Sequence, residues 1–295
     1  QGLSRFRVNI YKDRGNYAAA FRVIASKVPS FKELGLSETV RKIAEKPRGL
    51  VLVTGPTGSG KTTTLYTLLA EKNDPQTNII TVEDPVEIKI PGLNQVQVNA
   101  KAGMTFASGL RSILRQDPDI ILVGEIRDGE TAEIAMRAAI TGHLVFSTIH
   151  TNDAVSSINR LIDMGLEPYM VSSALVGVVS QRLVRRICTG CRKAYEPDPD
   201  EIEKLKLAPG QKLYHGEGCQ DCNGTGYKGR IAIHEIVVMT KAMKTLLEKR
   251  ASEEEMRQLA VSEGTQMLAD SAAALVLEGI TTVDEMNRVA YSIDG

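Results

Sequence analysis

No charge of one sign dominates this chain. Lys and Arg total 36 and Asp and Glu total 36, so nothing global recruits a polyanion, and nucleic acid is a weak partner expectation from the outset. Long apolar runs are also missing: stretches such as Leu50–Val53 and Ile120–Val123 are far short of the roughly 20 residues a membrane-spanning helix needs. There is no initiating Met and no basic, apolar leader, which gives no sign of export. The chain begins at Gln1 inside what reads as a strand, and the expectation is a fragment of a longer cytoplasmic protein. Cysteine is scarce. All four cysteines fall in two C-x-x-C pairs, a pattern that suits a metal clamp in a reducing compartment better than a disulfide framework. Internal repeats and low-complexity tracts are absent. What is present is 42% hydrophobic residues over 295 positions, enough for one large domain plus smaller pieces and too much for disorder.

The first segment alternates, with Phe6, Val8 and Ile10 on one side and Arg5, Arg7 and Asn9 on the other, and predicts a half-buried strand. Lys12–Asn16 reads as a turn, and Ala18–Ile24 as a second strand. From Leu50 the pattern becomes short apolar strands separated by helical stretches, the mark of a parallel sheet with helices on its faces. The predicted strands are Leu50–Thr54, Ile79–Val82, Ile120–Gly124 and Leu144–Ile149, and motifs at their carboxyl ends should share one crevice. Beyond residue 150 helices are expected to dominate: Asp153–Met164, then Pro168–Arg186, then three more after the cysteines. Ser252 with Glu255, and Thr282 with Glu285, have capping-box spacing.

Gly55-Pro56-Thr57-Gly58-Ser59-Gly60-Lys61-Thr62 fits G-x-x-x-x-G-K-[ST], directly after an apolar strand and before the helical run Thr63–Glu71. Such a loop turns its backbone N–H groups on phosphate oxygens, with the partial positive charge of a helix N-terminus behind them. Lys61 would reach the outer phosphates and Thr62 would ligate magnesium, so Gly55 through Thr63 form the predicted nucleotide-binding set. The bland alternative is a glycine-rich turn without a ligand. Two later strand ends carry acids: Glu83-Asp84 after Ile79–Val82, and Glu125 after Ile120–Gly124, where Gly124 stands in a place usually held by Asp. Either could be catalytic, or a helix cap or surface acid. His143 and His150 flank the fourth strand, so His150 at its carboxyl end should look into the crevice; a histidine beside a strand can equally be a structural residue. Cys188, Cys191, Cys219 and Cys222 form two knuckles among Gly218 and Asn223-Gly224-Thr225-Gly226; tetrahedral zinc is the expected guest, and four thiolates leave no open position, so the site should be structural.

These segments in this order resemble the type II secretion and type IV pilus assembly ATPases, from Leu3 to the C-terminus. The Walker A loop is Gly55–Thr62, the Asp box Ile80–Glu87, the Walker B box Val123–Asp128, and the His box runs from Thr141-Gly142-His143 to His150-Thr151-Asn152-Asp153. Glycine before the Walker B glutamate is itself a trait of that family.

The resemblance implies an α/β fold: a RecA-like P-loop NTPase core with a helical C-terminal part, a zinc-binding four-cysteine insert, and the last strands of a preceding α+β domain. The boundaries it suggests are 1–28 for those strands and linker and 29–295 for the ATPase domain, with 187–234 as the tetracysteine subdomain and 239–295 as C-terminal helices. It further implies magnesium-dependent ATP hydrolysis in a homo-hexameric ring. Glu83 and Glu125 would position water and magnesium, with the base unassigned, and His143 and His150 would sense the γ-phosphate or link subunits. Arg7 and Arg22 match arginines that close over the phosphates, although strand arginines also serve merely to keep a face soluble. Arg111 and Arg115, four apart on a helix expected over Phe106–Gln116, could line a subunit boundary. The cysteine clamp resembles assembly and secretion motors rather than retraction motors. It favours pilus extension, with type II secretion as the alternative and a nucleic-acid translocase as the alternative of another class. The implied partner is an inner-membrane platform protein, and the implied location is cytoplasmic, peripheral to the inner membrane; the basic stretch Arg182, Arg185, Arg186, Arg192 and Lys193, without interleaved aromatics, reads as a contact for protein or membrane-proximal partners rather than nucleic acid.

Overall fold

The computed structural model describes residues 5–24 and 27–291. The expected opening at Gln1, the start of the resemblance at Leu3 and the last residues of the C-terminal segment lie outside them. β1 (Arg5–Asp13) and β2 (Asn16–Ile24) form an antiparallel hairpin, closed by Arg14 and Gly15 at φ of 49° and 86°. Two consecutive positive φ values match the right-handed twist of the paired strands. The alternation is real but its consequence differs from expectation. Phe6, Val8, Ile10, Phe21 and Val23 are 45–69% exposed, because a two-stranded ribbon has no second layer of its own to bury a face against.

The centre is a seven-stranded sheet in the order β11-β8-β3-β7-β6-β4-β5. Its strands are β3 (Gly49–Thr54), β4 (Ile79–Glu83), β5 (Asn94–Gln97), β6 (Ile120–Val123), β7 (Leu144–Ile149), β8 (Leu175–Ile187) and β11 (Tyr227–Val238). All neighbours run parallel except β8 and β11. One face is covered by α1 (Glu38–Ala44) and α2 (Lys61–Lys72), with Val51, Val53, Ile79 and Phe146 packing against Leu65, Tyr66, Leu68 and Leu69. On the other face α3 (Phe106–Ile113), α4 (Gly129–Thr141), α5 (Ala154–Asp163) and α6 (Pro168–Ala174) bury Leu50, Leu52, Ile80, Val82 and Val145. Both faces are dry, which is why the strands read as continuous apolar runs.

The expected helix over Pro168–Arg186 is two elements. α6 stops at Ala174, and the chain continues as β8 for 13 residues. Val176, Val178, Val179 and Val184 are stiff at χ1 and favour the extended form, and β3 offers a parallel partner while β11 pairs on the far side. The C-terminal part is therefore helices laid on an extended sheet. β9 (Arg192–Tyr195), α7 (Pro199–Leu205) and β10 (Leu213–Gly216) form the excursion that holds the cysteines, and α8 (Lys241–Glu248), α9 (Glu253–Ser262), α10 (Leu268–Leu277) and α11 (Val283–Tyr291) complete the chain. Ser252 and Glu255 close a full capping box on α9. At Thr282 only half forms, because the Glu285 carboxylate goes to Arg185 and Arg288 instead of back to the chain. Among the described residues no helix is long and apolar enough to cross a membrane.

Candidate functional site

β3 is buried along its whole length and delivers the chain into the loop that ends at Gly60, the N-cap of α2. Two glycines there are irreplaceable. At Gly55, φ +140°, an added Cβ would lie 2.3 Å from the Gln181 carbonyl oxygen; at Gly60, φ +89°, it would lie 2.9 Å from Gln181 Nε2. Gln181 fixes the loop from behind: Nε2 donates to the Ser59 carbonyl at 2.7 Å and Oε1 accepts from Thr64 Oγ1 at 2.8 Å. Lys61 Nζ donates to the carbonyls of Gly55 at 2.7 Å and Pro56 at 3.1 Å. Burial pulls its pKa down to about 8, with Glu125 opposing and Arg182 adding to the fall. The Ser59 hydroxyl is buried without a partner.

In front of this loop lies a cavity of about 620 Å³. It brings together the predicted Thr57, Gly58, Gly60, Lys61, Thr62 and Thr63 with Glu83, Glu125, His150, Arg7 and Arg22. Gly55, Pro56 and Ser59 form the back of the loop rather than the wall. Arg7 and Arg22 face each other across the hairpin, and Arg7 lies 4.0 Å from Glu87. Arg127 and Arg230 also line it, so five cations stand with the carboxylates of Glu83, Asp84, Glu87 and Glu125 around the cavity.

Glu125 accepts from Arg127 Nη2 at 2.5 Å and stands 3.7 Å from His150 Nε2. The pKa of His150 is lowered, first by burial and then by Lys61, against the opposing pull of Glu125, so the ring is neutral near pH 7. Gly124 has a steric reason. A Cβ there would press at 3.3 Å on the Glu83 Cα, the Phe106 ring and the Val82 carbonyl, so an Asp would force apart the ends of β4 and β6. Glu83 is only 4% exposed, and both its oxygens are engaged. Oε2 accepts from the Tyr66 hydroxyl, and Oε1 accepts from Thr81 Oγ1 at 2.5 Å and Gln95 Nε2 at 3.2 Å.

Several expected placements differ. His143 precedes β7 at the opposite end of the sheet, about 20 Å along the strand from His150 at ordinary strand rise. Its Nδ1 lies 2.9 Å from the Ala138 carbonyl, where it closes α4 rather than lining the cavity. α3 ends at Ile113, before Arg115, and Arg111 pairs at 2.6 Å with Glu130 of the same chain. Within the basic stretch Arg182 alone is buried, while Arg185, Arg186, Arg192 and Lys193 are exposed. Arg182 is 5% exposed and donates to the Asn152 carbonyl at 2.6 Å, Arg185 pairs with Glu285 and stacks on Tyr227, Arg192 stacks on Tyr214, and Lys193 pairs with Glu217. Sequence reasoning missed Tyr66 and Gln181, whose only signal was polarity at positions that helix or strand periodicity turns inward, and the exposed Arg230, which carried no signal.

The four cysteine sulfurs lie within 4.8 Å of one another, and three of the pairs are at 3.8 Å. Metal–sulfur bonds of about 2.3 Å at tetrahedral angles place sulfurs about 3.8 Å apart, whereas a disulfide needs about 2.05 Å. Backbone N–H groups of Gly218, Cys219 and Gly226 donate to Cys191 and Cys222 sulfurs at 3.1–3.3 Å. Burial opposes ionisation of Cys222, but the N–H groups of Cys219 and Gly226 bring its thiol down to about 6; burial and the neighbouring sulfurs push Cys191 up to about 12. One thiolate forms readily and the next awaits a cation. The donor set fits a tetrahedral metal.

Comparison with known proteins gives one consistent answer. The family model described as type II/IV secretion system protein matches residues 12–288. The chain is 51% identical over 266 residues to type II secretion system protein E of Pseudomonas aeruginosa, covering 88% of this chain and 53% of that protein. It is 48% identical over 270 residues to the type IV pilus assembly ATPase PilB of Thermus thermophilus, covering 89% of this chain and 30% of that protein. It thus spans about half or less of the length of these curated relatives. Among solved structures, the pilus retraction motor PilT with bound ADP is similar at a TM-score of 0.75 and 32% identity, over 98% of this chain and 75% of that one.

Proposed function

Because this chain belongs to the type II/IV secretion system protein family, we propose that it is the ATP-hydrolysing core of a motor that assembles type IV pili. Powering type II secretion is the second reading, supported by the relative of that name at 51% identity. The observation that carries the reading is Lys61: a buried ammonium group with a lowered pKa, parked on the carbonyls of its own loop beside the partnerless Ser59 hydroxyl. A cation so placed is stabilised by phosphate oxygens arriving at the N-terminus of α2.

In this reading Gly55–Thr63 cradle the phosphates, and Lys61 exchanges the Gly55 and Pro56 carbonyls for phosphate oxygens. The Thr62 hydroxyl and Glu125 hold magnesium, which when bound neutralises charge on the outer phosphates. Glu83 and Glu125 orient the attacking water. His150, neutral at the carboxyl end of β7, senses the γ-phosphate through its contact with Glu125. Arg7 and Arg22 neutralise charge as the hairpin closes, an effect worth about 10³–10⁵ in rate in other phosphate-transfer enzymes. The cysteine cluster holds zinc as a structural staple. The domain boundaries follow the same reading: a RecA-like core over 29–295 behind strands of a preceding domain in 1–28. Six subunits form a ring that acts on a membrane platform protein at the cytoplasmic face of the inner membrane.

Lys61→Ala tests the reading. ATP hydrolysis should be lost while far-ultraviolet circular dichroism and bound zinc are kept. A fully active variant sinks it, and DNA-stimulated, salt-sensitive hydrolysis by the unmodified chain would favour a nucleic-acid translocase instead.

A further inference from the structure

Glu83 ends β4 on the face of the sheet that α2 covers, the same face as Ile79 and Thr81. A carboxylate in that layer must be satisfied by hydrogen bonds or ion pairs. Among the described residues no Lys, Arg or His pairs with it; its partners are the neutral donors Tyr66, Thr81 and Gln95. Thr81 and Gln95 come from the strand itself and its edge neighbour, and move with the sheet. Tyr66 is different, because it stands five positions after Lys61 on the helix that the phosphate loop starts. Its oxygen does two jobs: it donates to Glu83 and accepts the Glu87 backbone N–H at 3.1 Å. The ring is 1% exposed, with no room for another rotamer.

We propose that Tyr66 is a positioning residue that sets the Glu83 carboxylate relative to the phosphate loop and ties the segment after β4 to α2. This deepens the reading of Glu83 as a group that orients water, and rests on it. Binding of phosphates at the first turn of α2 bears on Glu83 through one rigid, buried side chain carried by that helix.

The coupling is mechanical: where α2 moves the Tyr66 hydroxyl moves, and the carboxylate follows through the hydrogen bond they share.

The test is a double-mutant cycle on steady-state ATP hydrolysis with Tyr66→Phe, Glu83→Gln and the pair. Glu83→Gln is expected to lower kcat about 100-fold, the low end for a positioned acid–base group. Tyr66→Phe should lower kcat about 10-fold, the loss of one hydrogen bond to a charged group, and leave the affinity for a fluorescent ATP analogue within about twofold. Once Glu83 is Gln, adding Tyr66→Phe should cost nothing further. Independent, multiplying losses would overturn the proposal, as would an unchanged kcat in Tyr66→Phe, or a loss of nucleotide affinity that matches the loss of kcat. An unchanged kcat in Glu83→Gln would instead sink the reading of Glu83 itself.

Discussion

Raising the pH should weaken nucleotide binding through Lys61. The side chain is 8% exposed and its pKa has come down from 10.5 to about 8, chiefly by burial. A triphosphate gathered around the same nitrogen favours the charged form, so binding draws a proton from solution whenever Lys61 starts out neutral. Linkage sets the slope. Apparent affinity should be level below about pH 7 and fall about tenfold per pH unit above about 8, until the pKa of the bound complex is reached. Calorimetric titration with a non-hydrolysable ATP analogue, in two buffers of different ionisation enthalpy, should count about three-quarters of a proton taken up at pH 8.5. The stability of the nucleotide-free chain should run the other way. Between about 8 and 10.5 the unfolded chain holds more protons at this site than the folded one, so folding stability from Lys61 rises with pH in that window. The full shift is worth about 3 kcal/mol, which the two carbonyl hydrogen bonds offset at about 1 kcal/mol each. A dissociation constant that stays flat from pH 7.5 to 9.5, with no proton uptake, would refute the argument.

Other perturbations read other parts of the molecule. Gly55→Ala would place a Cβ 2.3 Å from the Gln181 carbonyl in a left-handed conformation, and should cost about 2–4 kcal/mol in thermal melts and abolish nucleotide binding. Cys222→Ser, or a strong chelator, should release bound zinc measurable with a colorimetric dye and lower the melting temperature, because the two knuckles anchor the ends of β8 and β11. Glu285 is 1% exposed. Burial pushes its pKa up, but the Arg185 backbone N–H and the Arg185 and Arg288 guanidinium groups bring it below 4.5. Its contribution is therefore complete above the ordinary carboxyl value and lost as pH falls through the lower folded one; Glu285→Ala should cost about 2–4 kcal/mol at pH 7 by denaturant titration and flatten the acid limb of stability.

Much of this protein could be read from neighbours along the chain. The phosphate loop is a local object, since its glycines, its Lys and the flanking strand and helix lie within a few residues of each other. The acids at the ends of β4 and β6 were legible for a related reason: in a parallel sheet all carboxyl ends point one way, so chain order alone gathers Glu83 and Glu125 at one edge. The cysteine pairs have the spacing of a metal clamp, and the fold brings their sulfurs to separations that fit a tetrahedral metal.

What only the tertiary structure decided depended on who the neighbour across space is. The valine-rich run after Ala174 was expected to continue a helix to Arg186 and is a strand instead, because β3 and β11 supply edges for it. His150 was legible at the carboxyl end of its strand, but that His143 closes α4 at the other end instead of joining the nucleotide site was shown only by the structure. Gly124 was a family trait without a stated reason in the sequence, and the close approach of the ends of β4 and β6 supplied one. Arg182 looked like surface charge and lies behind the phosphate loop. Tyr66 carried no motif at all; its meaning comes from a carboxylate 17 residues away that a parallel sheet brings beneath its hydroxyl. Periodicity determines which way a side chain points, whereas the group it meets there is set by packing between elements distant in sequence.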